Sequence, residues 1–138
     1  MIRLQCALVA LYKARILMQR PLVSVKSGWD FPRMPVEPFE KYSEAALRVA
    51  RQRVGRDFRV GGVVHLTETT ADQHLLVLYV KAELIGGPPE TTNSVAWFDQ
   101  MELCELRNSG LMVPEADEAL KAMDWRALIP RGHFPPGY

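Results

Sequence analysis

An α/β fold, a mixed β-sheet with helices packed on its faces, is predicted by three features of this chain. Segments of strand and helix character follow one another in the order β-β-loop-α-β-β-β-α. One of them, "HLLVLYVKAEL" (74–84), is a nearly continuous apolar run, as expected of a strand covered on both faces. Another, residues 43–54, spaces its apolar side chains at the helical period.

Each element has a local reason. "IRLQCALVALY" (2–12) combines alternation with a β-rich apolar run and reads as a strand. "KA" is the turn that sends the short strand "RILMQR" (15–20) back against it. Residues 21–42 are rich in Pro and Gly and predict a loop, with one short extended piece at "WDF". Ser43 is a suitable N-cap and Glu44 complements the helix dipole, so a helix is expected from there to about Val54, closed by Gly55. "FRVGGVVHLTET" (58–69) is a strand whose Gly61-Gly62 pair signals a bulge or a close backbone approach. After the loop "IGGPPETTN" comes the strand "SVAWF" (94–98), then a short helix capped by Asp99. The last helix starts near Pro114, a residue suited to the first turn, and runs to about Trp125. The tail 126–138, interrupted by Pro and Gly, is expected to be irregular.

A chain of 138 residues with neither repeat nor linker predicts one domain. Its 48% hydrophobic and 24% charged fractions are those of a globular protein that folds on a core. The net charge of +1 predicts no strong attraction of the whole molecule to nucleic acid or membrane. Cys6 and Cys104 lie in apolar surroundings and form no C-x-x-C pair, which predicts buried thiols in a reducing compartment. With no signal-peptide pattern and no spanning apolar run, a cytoplasmic protein is expected.

The chemistry-bearing residues gather around the first helix. On a wheel of about 100° per residue, Ala46, Leu47, Ala50 and Val54 form the stripe expected to face the sheet. Val49, Gln52 and Arg53 share a neighbouring face at i, i+3, i+4 spacing, where side chains converge. Arg48, Arg51, Arg53, Arg56 and Arg59 fall within twelve residues, with Asp57 the only acid among them. His65 and His74 sit in strand patterns and His133 in the tail, so no Cys-His or Ser-His-Asp constellation is predicted.

The stretch "WDFPRMPVEPFE", followed by "AALR" and Gly55, resembles the Nudix (MutT-like) hydrolases. Their box is G-x5-E-x7-R-E-U-x-E-E-x-G-U, with U aliphatic. Laid on this chain it begins at Met34 in place of Gly, keeps Glu40, Arg48 and Gly55, and has Arg56 at the closing aliphatic position. The box glutamates fall on Val49, Gln52 and Arg53. The opening hairpin and the run "SVAWFDQMELCEL" extend the likeness over most of residues 3–125. The resemblance implies a Nudix-like α/β/α sandwich and makes a homodimer an expected state.

Three carboxylates on the 49/52/53 face would hold Mg²⁺, a hard cation that takes oxygen ligands, and so activate water against a diphosphate. Here the formal charge of those three positions is +1 instead of −3, a swing of four. Two unit charges about 4 Å apart interact by roughly 4 kcal/mol at an effective dielectric near 20, and a divalent ion beside Arg53 would suffer about twice that. No metal and no catalytic residue is therefore expected, and Glu40 is expected to pair with Arg48. The leading reading is a nucleotide- or diphosphate-binding or interaction module. Its candidate ligand residues are Arg33, Arg48, Gln52, Arg53 and Trp29, with Arg51 and Arg56 able to join, since guanidinium matches phosphate bidentately. Trp29, Phe31, Phe39 and Tyr42 flank that site and are candidates to stack a ring. Two alternatives stand beside it. One is a hydrolase of nucleoside-diphosphate-type substrates that draws Mg²⁺ ligands from Glu37, Glu40, Glu44 or the acids around Glu90. The other is a protein or RNA scaffold without a small ligand, for which no aromatic residues interleave the arginines.

Overall fold

The protein is described by a computed structural model that covers residues 1–20, 28–92, 94–124 and 128. The last helix closes at Ala122, where Met123 is extended, short of the end expected near Trp125; Trp125 itself and the tail with His133, apart from Leu128, lie outside the described residues. Among the described residues, six strands and three α-helices follow in order: β1 (Ile2–Tyr12), β2 (Arg15–Gln19), β3 (Arg33–Pro35), α1 (Tyr42–Val49), β4 (Phe58–Thr69), β5 (His74–Leu84), β6 (Val95–Phe98), α2 (Gln100–Asn108) and α3 (Pro114–Ala122). The parts are those of the expected mixed β-sheet with helices. No helix among the described residues is long and apolar enough to cross a membrane.

The chain divides into two compact units, Met1–Ala10 with Pro32–Gly86, and Leu11–Phe31 with Gly87–Tyr138. In the first, the strand order is β4-β5-β1, and β3 lies antiparallel on β1 with Gln5, Cys6 and Ala7 opposite Pro35, Met34 and Arg33. β3 lies in the stretch expected to be loop. Pro35 within it and Pro32 just before it hide it from local reading, but Val36 N–H to Leu4 O and Leu8 N–H to Pro32 O dock the segment against β1. The β4–β5 ladder slips register between Val60 and Val63, so the glycine pair does mark a bulge. β5 is less enclosed than its composition suggested. Val77, Tyr79, Val80 and Ala82 are buried, while the other seven of its eleven residues keep part of their surface.

α1 packs against β3, β4 and β5, and its cap differs from the expected one. The helix starts at Tyr42 behind Lys41, whose backbone is extended and whose side chain caps nothing, so Ser43 already lies inside the first turn. The buried stripe is Ala45, Ala46, Val49 and Ala50, with Leu47 and Val54 only half-buried. Beyond Val49 the helix changes pitch: residues Ala50–Val54 form a π turn, closed by Gly55 N–H to Ala50 O at 2.8 Å. Gly55 adopts φ 78°, the left-handed conformation that ends helices at least cost when the residue is glycine.

In the second unit, the end of β1 is followed by β2 and β6, with Ile16, Leu17, Met18 and Gln19 opposite Phe98, Trp97, Ala96 and Val95. The "WDF" piece is extended through isolated bridges, Asp30 to Gln19 and Trp29 to Met112. α2 carries the expected cap and more: Asp99 accepts from Glu102 N–H at 2.8 Å, and Glu102 accepts from Asp99 N–H at 3.0 Å. Pro114 opens α3 as expected. Arg107 and Lys121 both hold Asp117, joining α2 to α3; burial would raise its carboxyl, but those two hydrogen bonds keep it below its ordinary value. Cys104 is exposed, contrary to expectation, because the buried position of α2 is its neighbour Leu103.

Candidate functional site

The approach to α1 is a tight turn built by its sequence. Glu40 N–H bonds Glu37 O at 3.1 Å, with Pro38 and Phe39 between them. Proline supplies the fixed φ wanted at the second turn position, and Phe39 takes φ 64° at the third, where glycine is usual. The strained Phe39 is wholly exposed, so its ring contributes no packing. What holds the turn is Glu40. Its Oε1 accepts from Glu37 N–H at 3.0 Å, and its two oxygens receive Arg48 Nη2 at 2.9 Å and Nε at 3.0 Å.

Arg48 is thus clamped bidentately, as expected of the pair. Its Nη2 also donates to Pro35 O at 2.6 Å, and Nη1 lies 3.9 Å from Met34 Sδ. The arginine's hydrogen bonds bring the Glu40 carboxyl down to about 2, helped by the Glu37 amide, and Glu40 in turn raises the Arg48 guanidinium. The Cys6 thiol, opposite Met34 in the β1–β3 ladder, is pushed up to about 11, first by burial and then by the Glu40 charge. A thiol protonated at that level is no nucleophile at neutral pH.

The other end of the helix is arranged differently. Val49 is 0% exposed, turned into the core with Ala45, Ala46 and Ala50, while Gln52 and Arg53 are exposed. The three positions expected to share a face are therefore separated. Val49 completes the buried stripe of α1, whereas Gln52 and Arg53 fall in the π turn that follows it. Around the end of that turn, Arg51, Gly55, Arg56, Asp57, Ile85 and Gly86 line an open cleft of about 370 Å³. Asp57, Ile85 and Gly86 escaped the reading of the sequence; the Gly86-Gly87 pair before two prolines was the available signal.

The remaining candidates are placed as follows. Arg33 is half-buried in β3. Trp29 is buried in the second unit, its ring 5.1 Å from that of Phe98 at 77° and 4.8 Å below the Arg20 guanidinium. Phe31 is buried and Tyr42 exposed. His65 leans on the Tyr79 ring, and His74 pairs with Glu68. Glu44 and Glu90 are exposed.

These residues do not fit a divalent cation. Valine offers no ligand, Gln52 only a neutral amide, Arg53 a repelling charge, and Glu40 is engaged by Arg48. Among the described residues no group of three or more His, Cys, Asp or Glu comes together to hold a metal ion.

No protein-family model and no curated protein matches the chain. Solved structures do. A NUDIX hydrolase from Nitrosomonas europaea superposes with a TM-score of 0.71 at 16% identity, over 98% of this chain and 97% of that one. A MutT NUDIX hydrolase from Burkholderia pseudomallei gives 0.69 at 17% identity, over 88% and 97%. The Ap4A hydrolase of C. elegans gives 0.68 at 16% identity, over 88% and 95%. At such low identity the likeness speaks for architecture: along nearly its whole length, this chain has the fold of the Nudix hydrolases.

Proposed function

We propose that this chain is a Nudix-fold protein that binds a nucleotide-type diphosphate without a metal ion and does not hydrolyse it through the box positions. The observation that carries the reading is the inverted end of the first helix. Val49 lies in the apolar core, and an arginine stands exposed beside Gln52 where a Mg²⁺ site needs carboxylates. A positive surface of guanidinium groups meets a diphosphate directly and needs no cation to neutralise it.

The test is a thermal-shift panel of nucleoside diphosphates and nucleoside-diphosphate sugars, in EDTA and then in Mg²⁺. A ligand present at a hundred times its Kd stabilises the native state by about 2.7 kcal/mol. Stabilisation in EDTA, at least as large as that in Mg²⁺, is the expected result. Turnover of any of these compounds that depends on Mg²⁺ or Mn²⁺ would overturn the proposal.

A further inference from the structure

Resting on that reading, we infer that the diphosphate is received in the cleft at the end of the π turn, held between Arg51 and Arg56, and not over the Gln52–Arg53 surface. The cleft exists because of the turn. Gly55 N–H reaches back five residues to Ala50 O, and the left-handed Gly55 then reverses the chain. Arg51, inside the turn, and Arg56, just past it, come to line one space of about 370 Å³. On an unbroken α-helix, residues five apart point about 140° away from each other.

The opposite wall is the end of β5, fixed by Ile85 N–H to Asp57 O at 3.0 Å. Gly86, at φ 97°, completes it without a side chain; a Cβ there would stand 3.8 Å from Arg56 Nη2, so the guanidinium lies alongside bare backbone. Gly55 faces open space. Two glycines without side chains let an anion approach the main chain closely.

The charge count favours an anion. Two guanidinium groups face one carboxylate, Asp57, and the helix terminus adds about half a negative charge that fades within a turn. Among these lining residues the sum remains positive, and guanidinium groups are suited to phosphoryl oxygens. Ile85, 51% exposed on the rim, gives an apolar surface for the ring of a nucleoside, which inorganic pyrophosphate lacks.

The experiment is calorimetric titration of the full chain in EDTA at low salt with ADP, pyrophosphate, adenosine and a short single-stranded RNA. ADP is expected to bind more tightly than pyrophosphate, and adenosine not at all. Arg51→Glu should weaken ADP about ten- to a hundredfold, and Arg53→Glu, whose residue lies outside the cleft, about threefold or less. Arg56→Lys keeps the charge but loses the fork, and should give an intermediate loss with the fold intact by circular dichroism. If Arg53→Glu costs as much as Arg51→Glu, the cleft is the wrong place although metal-free binding stands. Failure of ADP and pyrophosphate to bind the unmodified chain removes the reading itself, and RNA binding more tightly than ADP overturns the small-ligand assignment.

Discussion

The two ends of the first helix are built on opposite terms. At its start, a strained turn, a bidentate ion pair and a carbonyl contact hold Glu37, Glu40, Arg48 and Pro35 in one arrangement. At its end, the helix loosens into a π turn and presents Arg51, Gln52 and Arg53 to solvent. The two ends are thus physically separable. The entry latch needs only Glu40, Arg48 and the turn between the strand and the helix, and nothing in it depends on which side chains stand on the exposed exit.

The largest expected effect breaks that separation from within the core. Val49→Glu puts a carboxylate where the surroundings are apolar and without a partner, and should cost about 3–5 kcal/mol in urea denaturation. Gln52→Glu, on the exposed side, should stay within about 0.5 kcal/mol. Glutamates at the two positions would thus differ sharply in cost on one helix.

A smaller loss is expected at the latch. Arg48→Met leaves the Glu40 carboxylate and the Pro35 carbonyl without their donor, and the melting temperature should fall by about 4 °C. The same variant changes the pH response. Glu40 titrates near 2 when folded, below its ordinary 4.5, so its stabilisation is complete above that ordinary value and drains away as the pH falls toward 2. Urea midpoints between pH 6 and 2 should show this acid-limb loss in the parent and a flatter limb in Arg48→Met.

The smallest effect sharpens the account of the turn. Phe39→Gly removes an exposed ring and relieves the left-handed strain, against the added freedom of glycine when unfolded. The balance should be a gain of about 0.5 kcal/mol by urea denaturation. A loss above about 1 kcal/mol would mean that the Phe39 ring supports the latch after all.

Much of this was legible in the sequence because it is local. The Asp99–Glu102 cap, the glycine bulge in β4, the opening hairpin and the Glu40–Arg48 pair each follow from residues close in the chain or at a recognised spacing. What stayed hidden depends on partners far along it. β3, with Pro35 in it, is a strand only because β1 lies beside it. Cys104 is exposed because its neighbour Leu103 occupies the buried position. A helical wheel gives directions alone and so put Val49 beside Gln52 and Arg53; which face is buried is decided by the packing of α1 on β3, β4 and β5. Arg51 and Arg56 were legible as candidate phosphate ligands, but their sharing of a cleft with Gly86 depends on the end of β5.

The π turn has one more consequence, for alignment. A helix that takes five residues over a span four would fill holds a spare residue. Any gapless pairing of this chain with a straight helix slips by one place after Ala50. Arg53 then stands where the fifty-second residue of the straight helix would, and Val54 where the fifty-third would. In the written register those two places hold glutamine and arginine; in the spatial one they hold arginine and valine. Neither register supplies a carboxylate.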